Sequence, residues 1–388
     1  MPAQMEEKAM NKTKQNILLT PGPTPVPPEV LEVMSRPIFH HRTPQFKAVL
    51  KQLFDGLKYA FQTKQDVYTL CASGTGGMEA SIVNFFSPGD HVIAVNSGKF
   101  GERWVKLAQA FGLKVDTITV EWGKAVDPNE IKKLLEAPAG KDIKGVFTTL
   151  CETSTAVLTD IKAIAQITKN HQALLVVDAI SALGGEDCKM DEWGIDVVIT
   201  GSQKALMIPP GLAFIAASQK AWNQAKESKF SKFYLDLKKY QKSFLEEDVP
   251  FTPAITLVLA QVEALRQFKE DGYDKVIART KKLAEATRKA AQIMGLKVYA
   301  KDPSNVLTAI ELPSSVDGSK LVKLMRDELG VTLAGGQDQL KGKIVRIAHM
   351  GYIRAKDLAV GFEVFGDALA RQGYQCDFKK AAEQFKNL

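Results

Sequence analysis

From residue 65 onward, short uninterrupted apolar runs alternate with stretches that place hydrophobic residues at helical spacing. The runs predict strands at 67–70, 91–95, 114–120, 145–150, 174–177, 197–200 and 212–216. Several are continuous Val/Ile/Leu segments, which suits strands covered on both faces. Helices are expected between them, at 77–86, at 103–111 up to Gly112, and from Asp127-Pro128 to about residue 135. Such alternation predicts a mostly parallel sheet with helices on both sides. After residue 250 the texture changes. A long helical stretch at 255–294 is interrupted near Gly272. Shorter strands follow at 297–299, 306–312 and 344–348, with helices at 319–329 and 356–372. The pattern predicts a large α/β domain over 17–268 and a smaller α+β domain over 269–388, preceded by a flexible tail at 1–16.

Composition narrows the function classes. The 388 residues are 45% hydrophobic and 24% charged, as in an ordinary globular protein. No stretch approaches the ~18 apolar residues of a membrane span. The polar start of the chain lacks the apolar core of a secretory leader. Cysteines 71, 151, 188 and 376 form no CxxC pair, so the expectation is reduced thiols in the cytoplasm. Histidines 40, 41, 91, 171 and 349 show no metal spacing. The net charge of +7 is small for this length. Its densest cluster comprises lysines 226, 229, 232, 238, 239 and 242, interleaved with Phe230, Phe233, Tyr234 and Tyr240. It reads as an amphipathic segment with a solvated lysine side and a buried aromatic side, in preference to a nucleic-acid face.

In an open parallel sheet, ligands bind beyond the carboxyl ends of the strands. Three strand ends carry chemistry. Ser73-Gly74-Thr75-Gly76-Gly77 follows a strand and opens a helix, a setting in which free amides suit one phosphate. It is neither a P-loop nor a complete GxGxxG dinucleotide motif, since Glu79 stands where the third glycine belongs. Asp178 ends the run Leu-Leu-Val-Val-Asp. A carboxylate there needs a partner, either a protein cation or a protonated ring nitrogen. Lys204 follows another buried strand, where poor solvation lowers an amine's pKa toward the range of a carbonyl nucleophile. A phosphate cup, an acid for a pyridinium nitrogen and a Schiff-base lysine are together what pyridoxal 5'-phosphate requires.

The chain resembles the class V aminotransferases, fold-type I pyridoxal-phosphate enzymes. Within them it is most similar to the alanine/serine–glyoxylate (serine–pyruvate) aminotransferases. The resemblance runs from about residue 18 onward. It rests on Leu-Thr-Pro-Gly-Pro-Thr-Pro (19–25), His-Arg-Thr-Pro (41–44), Ala-Ser-Gly-Thr-Gly-Gly-Met-Glu-Ala (72–80), Glu-Thr-Ser-Thr (152–155), Val-Asp-Ala-Ile-Ser (177–181), Gly-Ser-Gln-Lys-Ala (201–205), Thr-Pro-Ala (252–254) and Val-Arg-Ile (345–347). It implies that Lys204 carries the coenzyme and Asp178 bonds its ring nitrogen. Thr75, Gly76, Gly77 and Gln203 would hold the phosphate. Thr153 would lie near the phenolic oxygen, and Phe100 would stack on the ring. Arg346 would bind the substrate carboxylate, with Gly22 at the mouth of the site. Thr252 would reach the phosphate of a neighbouring subunit in a homodimer. Relatives often carry Tyr three residues before that Thr, where this chain has Val249. Arg42 would serve either the substrate or the subunit interface.

Read by its residues alone, Arg346 sits in the alternating strand pattern Lys-Ile-Val-Arg-Ile-Ala, where a surface position is the simpler expectation. The implied reaction is ping-pong transamination between a small amino acid, alanine or serine, and glyoxylate or pyruvate. The alternatives are a related transaminase for aspartate or phosphoserine, a lyase or desulfurase, a nicotinamide dehydrogenase, or a non-enzymatic basic binding protein. A desulfurase would need a nucleophilic cysteine on a mobile loop, and Cys376 reads as part of a charged C-terminal helix.

Overall fold

The apolar runs at 174–177 and 197–200 are strands with no exposed face. In the computed structural model, which describes residues 17–386 and Leu388, they are the centre of a seven-stranded sheet. The strands are β1 (Val67–Leu70), β2 (His91–Asn96), β3 (Lys114–Thr119), β4 (Ile143–Thr149), β5 (Leu174–Asp178), β6 (Val197–Gly201) and β7 (Ala213–Ala217). Their spatial order is β1-β7-β6-β5-β4-β2-β3. All neighbours run parallel except β7, which is antiparallel to β1 and β6. Side-chain alternation sorts each central strand into two cores. Leu174, Val176, Val197 and Ile199 point to one, and Leu175, Val177 and Val198 to the other. The expected tail at 1–16 lies outside the described residues.

Helices cover both faces, and their ends follow local chemistry. Helix α1 (Pro44–Phe61) starts with Thr43 accepting the Phe46 amide and Pro44 in the first turn. Helix α2 (Gly74–Phe85) begins at Gly74. The sequence pattern places its start at 77, because glycines are poor helix formers. Here they form the first turn, and Gly77 lets α2 close on the sheet: a Cβ there would come within 2.6 Å of Ile199. Helix α3 (Lys99–Ala110) likewise starts before the expected 103. The long stretch divides at Gly272 (φ +86°) into α4 (Ile255–Asp271) and α5 (Tyr273–Ile293). A positive φ there is a conformation that glycine adopts without a Cβ penalty.

The C-terminal part builds a four-stranded antiparallel sheet from β8 (Lys297–Val298), β9 (Leu307–Glu311), β10 (Ala334–Gly335) and β11 (Ile344–Ala348), in the order β8-β9-β11-β10. Helices α6 (Gly318–Asp327) and α7 (Ala355–Ala370) accompany it. The lead-in segment is sewn to this C-terminal part. Ile17–Leu18 pairs with Val331–Thr332, and the Leu19 carbonyl accepts the Ala348 amide at 2.9 Å.

Two local expectations are corrected. Cys376 lies in the irregular segment between α7 and the short helix Phe378–Ala382, so it is not helical. The aromatic members of the lysine-rich cluster do not share one buried face. Tyr240 is buried, but Phe233 is 72% exposed and Tyr234 40% exposed. Regular helix begins only at Leu237, so residues 228–236 have no common helical face to bury. Among the described residues no helix is long and apolar enough to cross a membrane.

Phe147 of β4 is fully buried between Phe86 and Trp104, with ring centroids at 5.1 and 4.9 Å. Phe147→Ala should cost about 3–5 kcal/mol, read from denaturant unfolding of the purified protein. A loss under ~1 kcal/mol would contradict this packing.

Candidate active site

The carboxyl ends of β1, β4, β5 and β6 and the start of α3 converge on one cavity. It is lined by Ser73, Thr75, Phe100, Thr153, Asp178 and Lys204, with Gly74, Arg103, Cys151, Ile180, Ser181 and Gln203 between them.

Lys204 emerges from the loop after β6. Its Nζ donates to the Pro21 carbonyl at 2.5 Å. Burial pushes its pKa down to about 8, against the opposing pull of the Asp178 carboxylate. The lead-in segment holds this loop in place. Thr24 Oγ1 donates to the Lys204 carbonyl at 2.8 Å, and the Thr24 amide donates to the Gln203 carbonyl at 3.1 Å. Gly22 (φ +132°) lies against the amine itself, since a Cβ there would come within 2.3 Å of Nζ. Any side chain at 22 would displace the lysine.

Asp178 ends β5 and is 2% exposed. Its Oδ1 accepts the Ile180 amide at 2.8 Å. Burial raises its pKa to about 6, with the Ile180 N–H pulling the other way. Among the described ion pairs it has no cation partner within 4 Å, so it is not the salt-bridged core acid that a strand-end Asp commonly is.

Arg346 is the middle residue of β11 and is 7% exposed. The surface position expected from strand alternation is therefore corrected, because β11 lies between β9 and β10 with both faces covered. Nε donates to the Gly335 carbonyl (3.0 Å) and Nη1 to the Thr153 carbonyl (2.9 Å). Burial lowers its pKa to about 10, while the Glu152 charge supports the cation. Its described partners are carbonyls, and it makes no described ion pair. It flanks the cavity through Thr153.

Thr153 Oγ1 shares a hydrogen bond of 2.6 Å with Ser181 Oγ. Phe100, in the first turn of α3, has the Arg103 guanidinium over its ring, 4.9 Å from the centroid. Arg103 Nη1 also donates to Thr75 Oγ1 at 3.1 Å. The glycines divide their duties. Gly74 and Thr75 line the cavity, while the Gly76 and Gly77 amides turn back to the Ser73 carbonyl at 2.8 and 3.4 Å. Thr252 is exposed and lies outside the cavity of its own chain, next to Phe251. Arg42 is tied to the same region, paired with Asp248 and donating to the Val249 carbonyl at 3.0 Å. Arg103, Ser181 and Glu152 are absent from the residues singled out by sequence. Glu152 and Ser181 lie inside quoted motifs, the one signal that pointed near them.

The donors and acceptors fit pyridoxal 5'-phosphate. Gln203 Oε1 is a buried polar atom without a partner among the described residues. That oxygen only accepts and calls for a donor; the side-chain NH2 of Gln203, the Thr75 hydroxyl and the free amides at the start of α2 are the donors that suit an anionic group. Asp178 suits a protonated ring nitrogen, and Lys204 suits an aldehyde. Fold and site thus define a fold-type I pyridoxal-phosphate enzyme. The chain belongs to the class V aminotransferases: the family described as "Aminotransferase class-V" matches residues 17–358. It is 41% identical to the soluble hydrogenase small subunit of Synechococcus sp., over 95% of each chain. It is 36% identical to the serine–glyoxylate aminotransferase of Methylorubrum extorquens, over 88% of each chain. The solved ureidoglycine–glyoxylate aminotransferase of Bacillus subtilis superposes with a TM-score of 0.91 at 28% identity, covering 96% of this chain and 98% of that one. The protein is accordingly a pyridoxal-phosphate-dependent aminotransferase.

The lowered pKa of Lys204 has a direct readout. In the coenzyme-free protein, acylation of Lys204 by an amine-directed reagent should rise with pH around a midpoint near 8. A lysine in a free reference peptide should follow about 10.4. Peptide mass mapping across pH checks this, and a Lys204 midpoint above ~10 would contradict the burial.

Proposed function

We propose that the protein moves the amino group of alanine or serine to glyoxylate or pyruvate, in two half-reactions on one site. The observation that carries this reading is Arg346. A buried guanidinium bonded to carbonyls, beside the cavity of Lys204 and Asp178, is a receptor for a small carboxylate. The names of the serine–glyoxylate and ureidoglycine–glyoxylate relatives support glyoxylate as acceptor. Gly22, pressed against Lys204, supports a donor with a small side chain.

The coenzyme, when bound, supplies an aldehyde for the amino group and a ring that withdraws electrons from the substrate Cα. The residues do the rest. Arg346 fixes the substrate by its carboxylate. Lys204 carries the coenzyme between turnovers; once released, its Nζ takes the proton from Cα and returns it during the same half-reaction. Its lowered pKa leaves part of the amine neutral near pH 7. Asp178 would hold a proton on the ring nitrogen, in an apolar strand end that strengthens a charged contact. Phe100 would offer its ring to the coenzyme, with the Arg103 guanidinium against that ring and bonded to Thr75. The Thr153–Ser181 hydroxyl pair lines the same cavity and would serve the phenolic oxygen. Thr75, Gly74 at the start of α2 and Gln203 would hold the phosphate, with Gly76 and Gly77 shaping the turn that presents them.

The same reading makes the enzyme a cytoplasmic homodimer with the site at the subunit interface. Exposed Leu31, Ile38, Phe233 and Leu245 support a covered surface. Thr252, exposed and outside the cavity of its own chain, supports a role at the partner's phosphate. The four cysteines are unpaired, which suits a reducing compartment.

The deciding experiment is a half-reaction panel. The coenzyme-loaded protein, absorbing near ~420 nm, is mixed with single amino acids. Alanine or serine should bleach the band and leave it restorable by glyoxylate. Bleaching by aspartate, phosphoserine or cysteine alone would overturn the substrate assignment. Lys204→Ala should lose the band and all turnover. Arg346→Ala should keep the band but raise the half-saturating amino acid concentration about a hundredfold, because one partner of a charge-assisted pair is gone. An unchanged half-saturation would remove Arg346 from its assigned role.

A further inference from the structure

Helix α3 has no side-chain cap of its own, because its N-cap residue is Gly98. The amides that open a helix nevertheless need acceptors. They find them 51 to 55 residues further along, in the hairpin formed by Cys151–Glu152 and Val157–Leu158. Glu152 Oε2 accepts the Phe100 amide at 3.1 Å and the Gly101 amide at 2.9 Å. Oε1 accepts the Ser154 amide at 3.1 Å and the Ser154 hydroxyl at 2.5 Å. Ser154 Oγ in turn accepts the Lys99 amide at 3.1 Å. The three opening amides of α3 therefore end on one carboxylate and the serine bonded to it.

This approach is close and deliberate in the chain. A Cβ on Gly98 would lie 2.5 Å from Ser154 Oγ and 2.6 Å from Glu152 Cδ, so glycine is what admits the carboxylate. Glu152 is fully buried. The hydrogen bonds described to its carboxylate come from N–H and O–H donors, and a negative charge there complements the positive end of the helix. The fixed amide belongs to Phe100, whose ring lines the cavity together with Arg103, the guanidinium 4.9 Å from its centroid. One residue further along the hairpin, the Thr153 carbonyl holds Arg346 Nη1.

We propose that Glu152 is a positioning residue whose buried carboxylate sets the Phe100 ring on one wall of the cavity and, through the adjoining Thr153 carbonyl, the Arg346 guanidinium on another. The inference rests on the functional reading above, because it needs Phe100 against the coenzyme and Arg346 against the substrate. One anion then couples coenzyme stacking to carboxylate recognition. Burial raises the Glu152 pKa above the ordinary carboxylate range, while its N–H and O–H donors hold it down. Its charge also favours the cationic form of Arg346.

The test is Glu152→Gln, which keeps the shape but replaces one acceptor oxygen with a donor and removes the charge. Wild type and variant are stripped of coenzyme and titrated with pyridoxal 5'-phosphate by absorbance and by visible circular dichroism. The amino-donor half-reaction is then followed as a function of alanine concentration. The variant should form the band near ~420 nm, so that Lys204 still reacts. Its coenzyme dissociation constant and its half-saturating alanine concentration should each rise about tenfold, from the loss of a charged hydrogen-bond acceptor. The induced dichroism per bound coenzyme should fall. Values within about twofold of wild type, with unchanged dichroism, would overturn the proposal. Failure of the wild type to form the band would instead overturn the functional reading. If Glu152→Gln does not fold, Ser154→Ala carries the test. It removes one donor from the same carboxylate and should move the same three quantities in the same direction; no movement would overturn the proposal.

Discussion

Lys204 and Asp178 follow neighbouring parallel strands at the same end of the sheet, yet they make no described ion pair with each other. This separation governs the site. A direct pair would neutralise both groups and leave neither free for chemistry. Held apart, each is shifted by burial toward its neutral form, the lysine to about 8 and the aspartate to about 6. Backbone groups, not opposite charges, hold them: the Pro21 carbonyl for the amine and the Ile180 amide for the acid. The same arrangement recurs at Arg346, held by two carbonyls, and at Glu152, held by backbone amides and one hydroxyl. Isolated buried charges are costly, and fixed peptide dipoles offset that cost without consuming the groups' reactivity.

Such a site needs segments from distant parts of the chain. The central strands supply the reactive pair. The C-terminal sheet supplies Arg346 through β11, and the lead-in supplies Pro21, Gly22 and Thr24. Because Leu19 is bonded to Ala348 and Thr24 to Lys204, the lead-in links the C-terminal sheet to the lysine loop. A shift of either sheet therefore reaches the amine.

Much of this was legible in the sequence, for physical reasons. Strands β5 and β6 announce themselves because both faces are buried, so their residues are apolar without interruption. Asp178 and Lys204 stand out as charges set against those runs. Arg346 was harder: its alternating neighbours read as a half-exposed strand, whereas all five residues of β11 are buried in the fold. Glu152 was invisible because its role depends on a helix start 51 to 52 residues earlier, a contact that leaves no periodicity. Gly76 and Gly77 read as a phosphate loop, whereas Gly77 chiefly lets α2 approach Ile199. Phe233 and Tyr234 read as buried aromatics, because interleaved spacing cannot tell a helix from an irregular segment.

Reduction of the coenzyme-loaded protein with borohydride, followed by peptide mass mapping, tests the central claim most directly. The account predicts one added coenzyme per chain, located on the peptide containing Lys204 and nowhere else. Coenzyme trapped on another lysine, or none trapped on a folded and saturated protein, would contradict it.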